Sequence, residues 1–279
     1  MLSPTRILLG ILTLSVVANV VLGVREVRHQ RRVKTLKQSL ALGIVAKDEV
    51  TARRPVACRN DAKRVAVLLV VGQSNAANTL DATTSPPEGV GNFNLRDGKC
   101  YHAEEPLLGA TNSGGNFATR LASRLIERGD YDAVMLAPIA VGSTYIEEWA
   151  IGGRLNGRIV LAIEGLRAAG LAPTHVLWHQ GEGNRSDPES YYRQKFFSVY
   201  KTIRDAGVGA PIYVAQASIC GSDKGEGVRA AQRSVVDHTL RILPGPDTDQ
   251  LGSEFRYDGC HFNAEGGERL AELWYQALR

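Results

Sequence analysis

Apolar and polar positions along the chain fall into two periods. Four runs are almost continuously apolar: Arg64–Val71 (RVAVLLVV), Tyr131–Pro138 (YDAVMLAP), Thr174–Gln180 (THVLWHQ) and Pro211–Ser218 (PIYVAQAS). Short valine-rich runs of this kind predict strands buried on both faces. Between them, apolar residues recur at helical spacing over about 115–128, 155–169, 188–206 and 225–240. A last helix is predicted over about 263–278, with Asn263 as its N-cap and Leu270, Leu273, Trp274 and Leu278 as its apolar stripe. Strands that alternate with helices imply right-handed crossovers and a parallel sheet. The expected fold is therefore α/β, a three-layer αβα sandwich around a doubly wound parallel sheet, over residues 57–279. Ligands bind at the carboxyl ends of the strands in such sheets, so polar residues that follow each strand matter most. The stretch 75–113, with Pro86, Pro87 and several glycines, is expected to make an irregular excursion over that rim.

The amino-terminal pattern is different. Ile7 to Val24 is an uncharged run of 18 residues between Arg6 and Arg25. It fits an apolar helix that acts as a signal-anchor or signal peptide, so 1–24 is assigned that role and a membrane contact. Residues 25–56 read as a basic stalk, with Val33, Leu36 and Leu40 at helical spacing.

Composition changes this picture in two places. Residues 1–56 hold ten Lys/Arg against three Asp/Glu, whereas 57–279 hold 23 against 26. The formal charge of +4 thus belongs to the amino-terminal arm, and the body lacks the basic face of a nucleic-acid binder. The basic residues after Val24 favour a cytoplasmic body by the positive-inside rule. The four cysteines, an even number with no C-x-x-C pair, favour an oxidising compartment. Export to the periplasmic or extracellular face is the expectation taken here.

Three polar clusters follow predicted strands or precede the last helix. The first is Gly72-Gln73-Ser74-Asn75, where Ser74 is either a nucleophile or a helix N-cap. The second is His179-Gln180-Gly181-Glu182. Gln180 has an amide that can donate to an oxyanion, and Glu182 is a base, an acid or an ion-pair partner. His179 alternates with Gln180 along the strand and is read as structural. The third is Asp258-Gly259-Cys260-His261, whose Asp and His, three apart in a loop, supply the base and orienting acid that a serine needs.

In this order the three clusters resemble the SGNH hydrolases, in particular the branch of sialate O-acetylesterases and acetylxylan esterases. Ser113-Gly114-Gly115-Asn116-Phe117-Ala118 and Ala140–Trp149 resemble two further blocks of that branch. The likeness covers about 64–270 and implies the flavodoxin-like SGNH fold. It also implies Ser74 as nucleophile, His261 as general base and Asp258 as its partner. The implied oxyanion hole is the N–H of Ser74, the N–H of Gly114 (or Gly115) and Gln180. No metal or other cofactor is implied. Gln73, Asn75, Glu182 and Trp149 are expected near the substrate, with Tyr145 beside Trp149 at the rim. Trp149 read on its own fits core packing equally well. Cys260, between Asp258 and His261, is expected to pair with Cys220 and pin the catalytic loop, which leaves Cys58 to pair with Cys100.

The function so implied is a serine esterase that removes O-acetyl groups from a carbohydrate through an acyl-enzyme. Two other readings compete: an acetyltransferase of the same fold acting on a cell-surface polysaccharide, and a non-catalytic carbohydrate-binding protein. The absence of G-x-G-x-x-G after the first strand and of G-x-x-x-x-G-K-[ST] leaves nucleotide binding unsupported.

Overall fold

The computed structural model describes residues 50–58, 62–221 and 224–279. The expected amino-terminal helix and most of the basic stalk lie outside these residues. Among the described residues no helix is long and apolar enough to cross a membrane.

The run from residue 64 folds as β2 (Val65–Gly72), the middle of the sheet. Its side chains alternate between two cores. Val67, Leu69 and Val71 face one core, and Ala66, Leu68 and Val70 face the other. Burial on both faces explains why its sequence is continuously apolar and not alternating. β5 (Ala133–Pro138) and β6 (His175–His179) pair parallel on either side of it, and β7 (Ile212–Gln216) follows β6. The full sheet runs β1 (Pro55–Val56), β4 (Cys100–His102), β3 (Val90–Phe93), β5, β2, β6, β7 and β8 (Ile242–Asp247). It is parallel from β3 to β8, and β4 pairs antiparallel with both β3 and β1.

Helices cover both faces and make the three layers expected. α1 (Phe117–Glu127) and α6 (Ala264–Ala277) pack on the Leu68 side through Phe117, Leu121, Leu270 and Trp274. α2 (Ile146–Trp149), α3 (Asn156–Ala168), α4 (Glu189–Asp205) and α5 (Glu226–Ser234) cover the other side. The Asn116 side chain caps α1 by accepting from the Ala118 N–H, and Asn263 caps α6 by accepting from the Gly266 N–H at 2.8 Å. Both asparagines satisfy donors that the helices leave unpaired.

Three elements depart from expectation. The helix predicted over 225–240 stops at Ser234. Asp237 reverses the chain there: its side chain accepts from the Thr239 and Leu240 N–H groups, and its backbone pairs with Ile242. An unpredicted strand, β8 (Ile242–Asp247, ILPGPD), then forms the sheet edge, the position where proline is tolerated in a sheet.

The stretch 75–113 is not wholly irregular, because it contributes β3 (Val90–Phe93) and β4 (Cys100–His102). A Cβ on Gly91 of β3 would lie 2.5 Å from Met135 Cε, the mobile end of that side chain, so Met135 would have to shift. Asn92 stands in for a backbone partner. Its Oδ1 accepts from the Leu108 N–H at 2.7 Å and its Nδ2 donates to the Leu108 carbonyl at 3.2 Å.

β1 (Pro55–Val56) falls within the segment read as stalk and pairs with β4. The Arg53 guanidinium donates to the Glu104 and Pro106 carbonyls. The Cys58–Cys100 disulfide ties this start of the fold to β4.

The Asn92→Leu variant leaves the buried Leu108 N–H and carbonyl without that partner. A stability loss of about 2 kcal/mol is expected, read as a lower urea midpoint at unchanged m-value.

Candidate active site

The site starts where β2 ends. A Cβ on Gly72 would lie 1.9 Å from the His179 carbonyl oxygen, so only glycine lets β2 pass β6 at this point. The chain then enters a tight turn, Ser74–Ala76, at the carboxyl end of the central strand. Ser74 is 6% exposed. This is where the strand order diverges to β5 on one side and β6 on the other, the switch point at which doubly wound sheets bind ligands.

The Asp258–His261 loop lies between β8 and α6. Asp258 Oδ2 is 2.7 Å from His261 Nδ1, and Asp258 Oδ1 accepts from the backbone N–H of Cys260 at 2.9 Å and of His261 at 2.7 Å. Gly259, at φ +78°, lets the loop close this tightly. Partial burial pushes the Asp258 carboxyl up, but the His261 N–H, its imidazole and the Cys260 N–H outweigh it and hold the group below its ordinary value. With Nδ1–H donated to the carboxylate, Nε2 is the basic nitrogen of His261.

Asn75 joins the two parts. Its Nδ2 donates to the Cys260 carbonyl at 3.2 Å and to Glu182 Oε1 at 2.7 Å. The Arg256 guanidinium donates to the same Cys260 carbonyl. The expected Cys220–Cys260 disulfide is present and fixes the loop to the segment after β7.

Glu182 is 1% exposed, and burial pushes its carboxyl up against the opposing pull of Asn75 and Arg256. Among the described residues nothing hydrogen-bonds its Oε2. Its neighbour His179 lies 3.8 Å away, but the two form no ion pair. Burial takes His179 down to about 3, so its ring is neutral. It packs among Phe117, Trp274 and Phe262, which is the structural position expected of it.

Other expected site residues are placed differently. Gln73 Oε1 accepts from the Gly183 N–H at 3.0 Å and from Gln180 Nε2 at 3.2 Å, so Gln73 braces β2 against the turn after β6. Gln180 is fully buried. Its Nε2 is held by Asn184 Oδ1 at 2.6 Å as well as by Gln73, and its Oε1 accepts from the Tyr192 hydroxyl at 2.8 Å. With its amide hydrogens committed inside the protein, Gln180 does not face an oxyanion. Gly114 is corrected on similar grounds: its N–H donates to the Asn78 carbonyl, and that of Gly115 to Leu80. The glycines are there for packing, because a Cβ on Gly114 would lie 2.1 Å from the Leu80 oxygen. Trp149 is wholly buried against Trp178 and donates Nε1–H to Thr144 Oγ1, so it does not line the rim. Asn75 and Glu182 are both buried, and Asn75 braces the loop of His261.

Sequence reasoning missed Asn112. Among the described residues no acceptor meets its backbone N–H or that of Ser74. A Cβ on Gly142 would lie 3.0 Å from Asn112 Oδ1 and 3.7 Å from Ser74 Cβ, so Asn112 and Ser74 both border Gly142. Its φ is +70°, a conformation asparagine tolerates better than other residues with a side chain. The run Thr111-Asn112-Ser113-Gly114 carried that signal, an asparagine at a turn. The described residues hold no group of three or more His, Cys, Asp or Glu able to ligate a metal.

Comparison with known proteins bears on the family and the fold. Residues 64–278 match the family of sialic acid-specific acetylesterases, a group of carbohydrate esterases. A probable carbohydrate esterase from Arabidopsis thaliana is 27% identical over 207 residues, 69% of this chain and 77% of that protein. Its solved structure superposes with a TM-score of 0.63 at 21% identity, over 77% of this chain and 97% of that one. A carbohydrate acetylesterase from Xanthomonas citri has a TM-score of 0.55 at 17% identity, over 77% of this chain and 56% of that one.

Glu182→Gln keeps an uncharged acceptor for Asn75 and is expected to retain activity within a few-fold. Glu182→Ala frees Asn75 and is expected to lower kcat about tenfold, on the scale of one lost buried hydrogen bond. The pH dependence separates the charge from the shape. The native state holds the Glu182 proton at pH values where the unfolded chain has released it. Stability therefore falls as pH rises above the ordinary carboxylate value of about 4.3. The urea midpoint of Glu182→Gln should exceed that of the wild type by a margin that grows from acid to neutral pH.

Proposed function

The chain belongs to the sialic acid-specific acetylesterase family of carbohydrate esterases, and from that membership we propose that Ser74 removes O-acetyl groups from carbohydrate through an acyl-enzyme. It is a carboxylic ester hydrolase, and its substrate is an acetylated sugar hydroxyl. The observation that carries the serine mechanism is the 2.7 Å Asp258–His261 pair, in a loop that Asn75 ties to the turn of Ser74.

In this reading Ser74 Oγ attacks the acetyl carbonyl while His261 Nε2 takes the hydroxyl proton. The carbonyl oxygen becomes an oxyanion that accepts from the N–H groups of Ser74 and Asn112, neither of which meets an acceptor among the described residues. Collapse breaks the bond to the sugar oxygen, which leaves as a hydroxyl with the proton from His261. Water, deprotonated by His261, then attacks the acetyl-serine, and acetate and free Ser74 result. Asp258 holds the imidazole in the required tautomer and offsets its positive charge in both steps. The two disulfides fit an exported protein.

Ser74→Ala and His261→Ala in the full chain should each lower acetate release from acetylated xylan and p-nitrophenyl acetate by about 10⁴-fold or more. Asn112→Gly keeps both the N–H and the positive φ and should retain most of the activity. Acetate release that persists in Ser74→Ala would sink the serine mechanism. Release of the acetyl group onto an added oligosaccharide, with no free acetate, would replace hydrolysis by transfer.

A further inference from the structure

Two half-exposed aromatic side chains at the rim are not used by the chemistry above. Tyr145 and Tyr257 are each 50% exposed. Tyr145 precedes α2 and belongs to the layer of α2, α3 and α4. A Cβ on Gly183 would lie 3.5 Å from Tyr145 Cδ1 and 3.4 Å from Gln73 Oε1, so the ring borders the same glycine as the side chain of the residue that precedes Ser74.

Tyr257 belongs to the opposite layer, in the loop that leads to α6. Its ring stacks on His261, with centroids 5.9 Å apart and planes 24° apart. Its hydroxyl donates to the Thr79 carbonyl at 3.2 Å, and the Thr79 hydroxyl donates to the Ser74 carbonyl at 2.7 Å. One face of Tyr257 is therefore taken by the imidazole and its hydroxyl is tethered, yet half of its surface still meets solvent.

Exposed aromatic faces suit the C–H faces of sugars, and that of Tyr257 is already held in place. The ring supplies a large contact area and little side-chain entropy is lost on binding. We infer that Tyr145 and Tyr257 are two sugar platforms on opposite sides of Ser74. The substrate they select is an acetylated oligosaccharide or polysaccharide laid across the carboxyl edge of the sheet, from one helical layer to the other. In this reading the acetylated sugar sits at Ser74 and its neighbours in the glycan chain meet the two rings. This inference rests on the carbohydrate-ester reading above and extends it from a linkage to a chain.

The test assays the full chain on ethyl acetate, acetylated xylose and acetylated xylooligosaccharides of increasing length. The wild-type kcat/KM is expected to rise about tenfold or more with length, mainly through KM. Tyr145→Ala and Tyr257→Ala should each remove about tenfold of that gain, while Tyr145→Phe and Tyr257→Phe keep it. Loss of the ring over His261 also disturbs the base, but that cost falls on ethyl acetate and sugar esters alike and leaves their ratio unchanged. A wild-type rate that does not depend on length, or alanine variants that keep the dependence, overturns the inference and leaves the esterase standing. Failure to cleave any of these esters overturns the catalytic reading instead.

Discussion

The site depends on how closely three parallel strands approach one another at their carboxyl ends. Gly72 lets β2 pass under the His179 carbonyl, and Gly181 lets the next turn pass the Ala217 carbonyl, where a Cβ would lie 1.9 Å from the oxygen. No side chain fits between these backbones. The turns that follow are therefore set by main-chain contact and not by side-chain packing. A backbone placed this way moves little, which is what a nucleophile and its oxyanion donors require.

Beneath the turns lies a layer of buried amides. Gln180 donates to Gln73 and Asn184 and accepts from Tyr192, Gln73 accepts from the Gly183 N–H, and Asn75 donates to Glu182 and to the Cys260 carbonyl. Amides suit this place because each offers both a donor and an acceptor and carries no charge to desolvate. Well-paired polar groups in a low dielectric fix one arrangement strongly, and a half-paired group is costly. That cost collects at Asn75, whose Oδ1 is unpaired among the described residues, and at Glu182, whose Oε2 is likewise unpaired. Burial answers by favouring its protonated form.

These same facts decide what was legible beforehand. β2, β5, β6 and β7 were readable because burial on two faces leaves an unbroken apolar run. β3 was not, because Gly91 and Asn92 serve a close approach and a backbone-like hydrogen bond, and neither resembles strand propensity. β8 was hidden by Pro244 and Pro246, which only an edge position tolerates. At the site, Ser74, Asp258 and His261 stood out by order and residue type, as did the four cysteines. The misplaced residues share a cause. Gln180 and Trp149 carry donors that suit a ligand, but Asn184 and Thr144 take those donors inside the fold. Gly114 reads as an open backbone, yet its bareness answers to the Leu80 carbonyl. Asn112 is proposed to act through a main-chain N–H, which no side-chain pattern announces.

The two disulfides have a further consequence, which lies in their order along the chain. Cys58 joins Cys100 and Cys220 joins Cys260, across separations of 42 and 40 residues. Of the three ways to pair four cysteines, this one links each to its nearest neighbour in sequence. The two loops are disjoint, and neither is threaded through or nested in the other. A chain that enters an oxidising compartment amino terminus first presents its cysteines in the order in which they belong together. Simple oxidation as they emerge gives the native pattern, with no need for an isomerase to undo a wrong first choice.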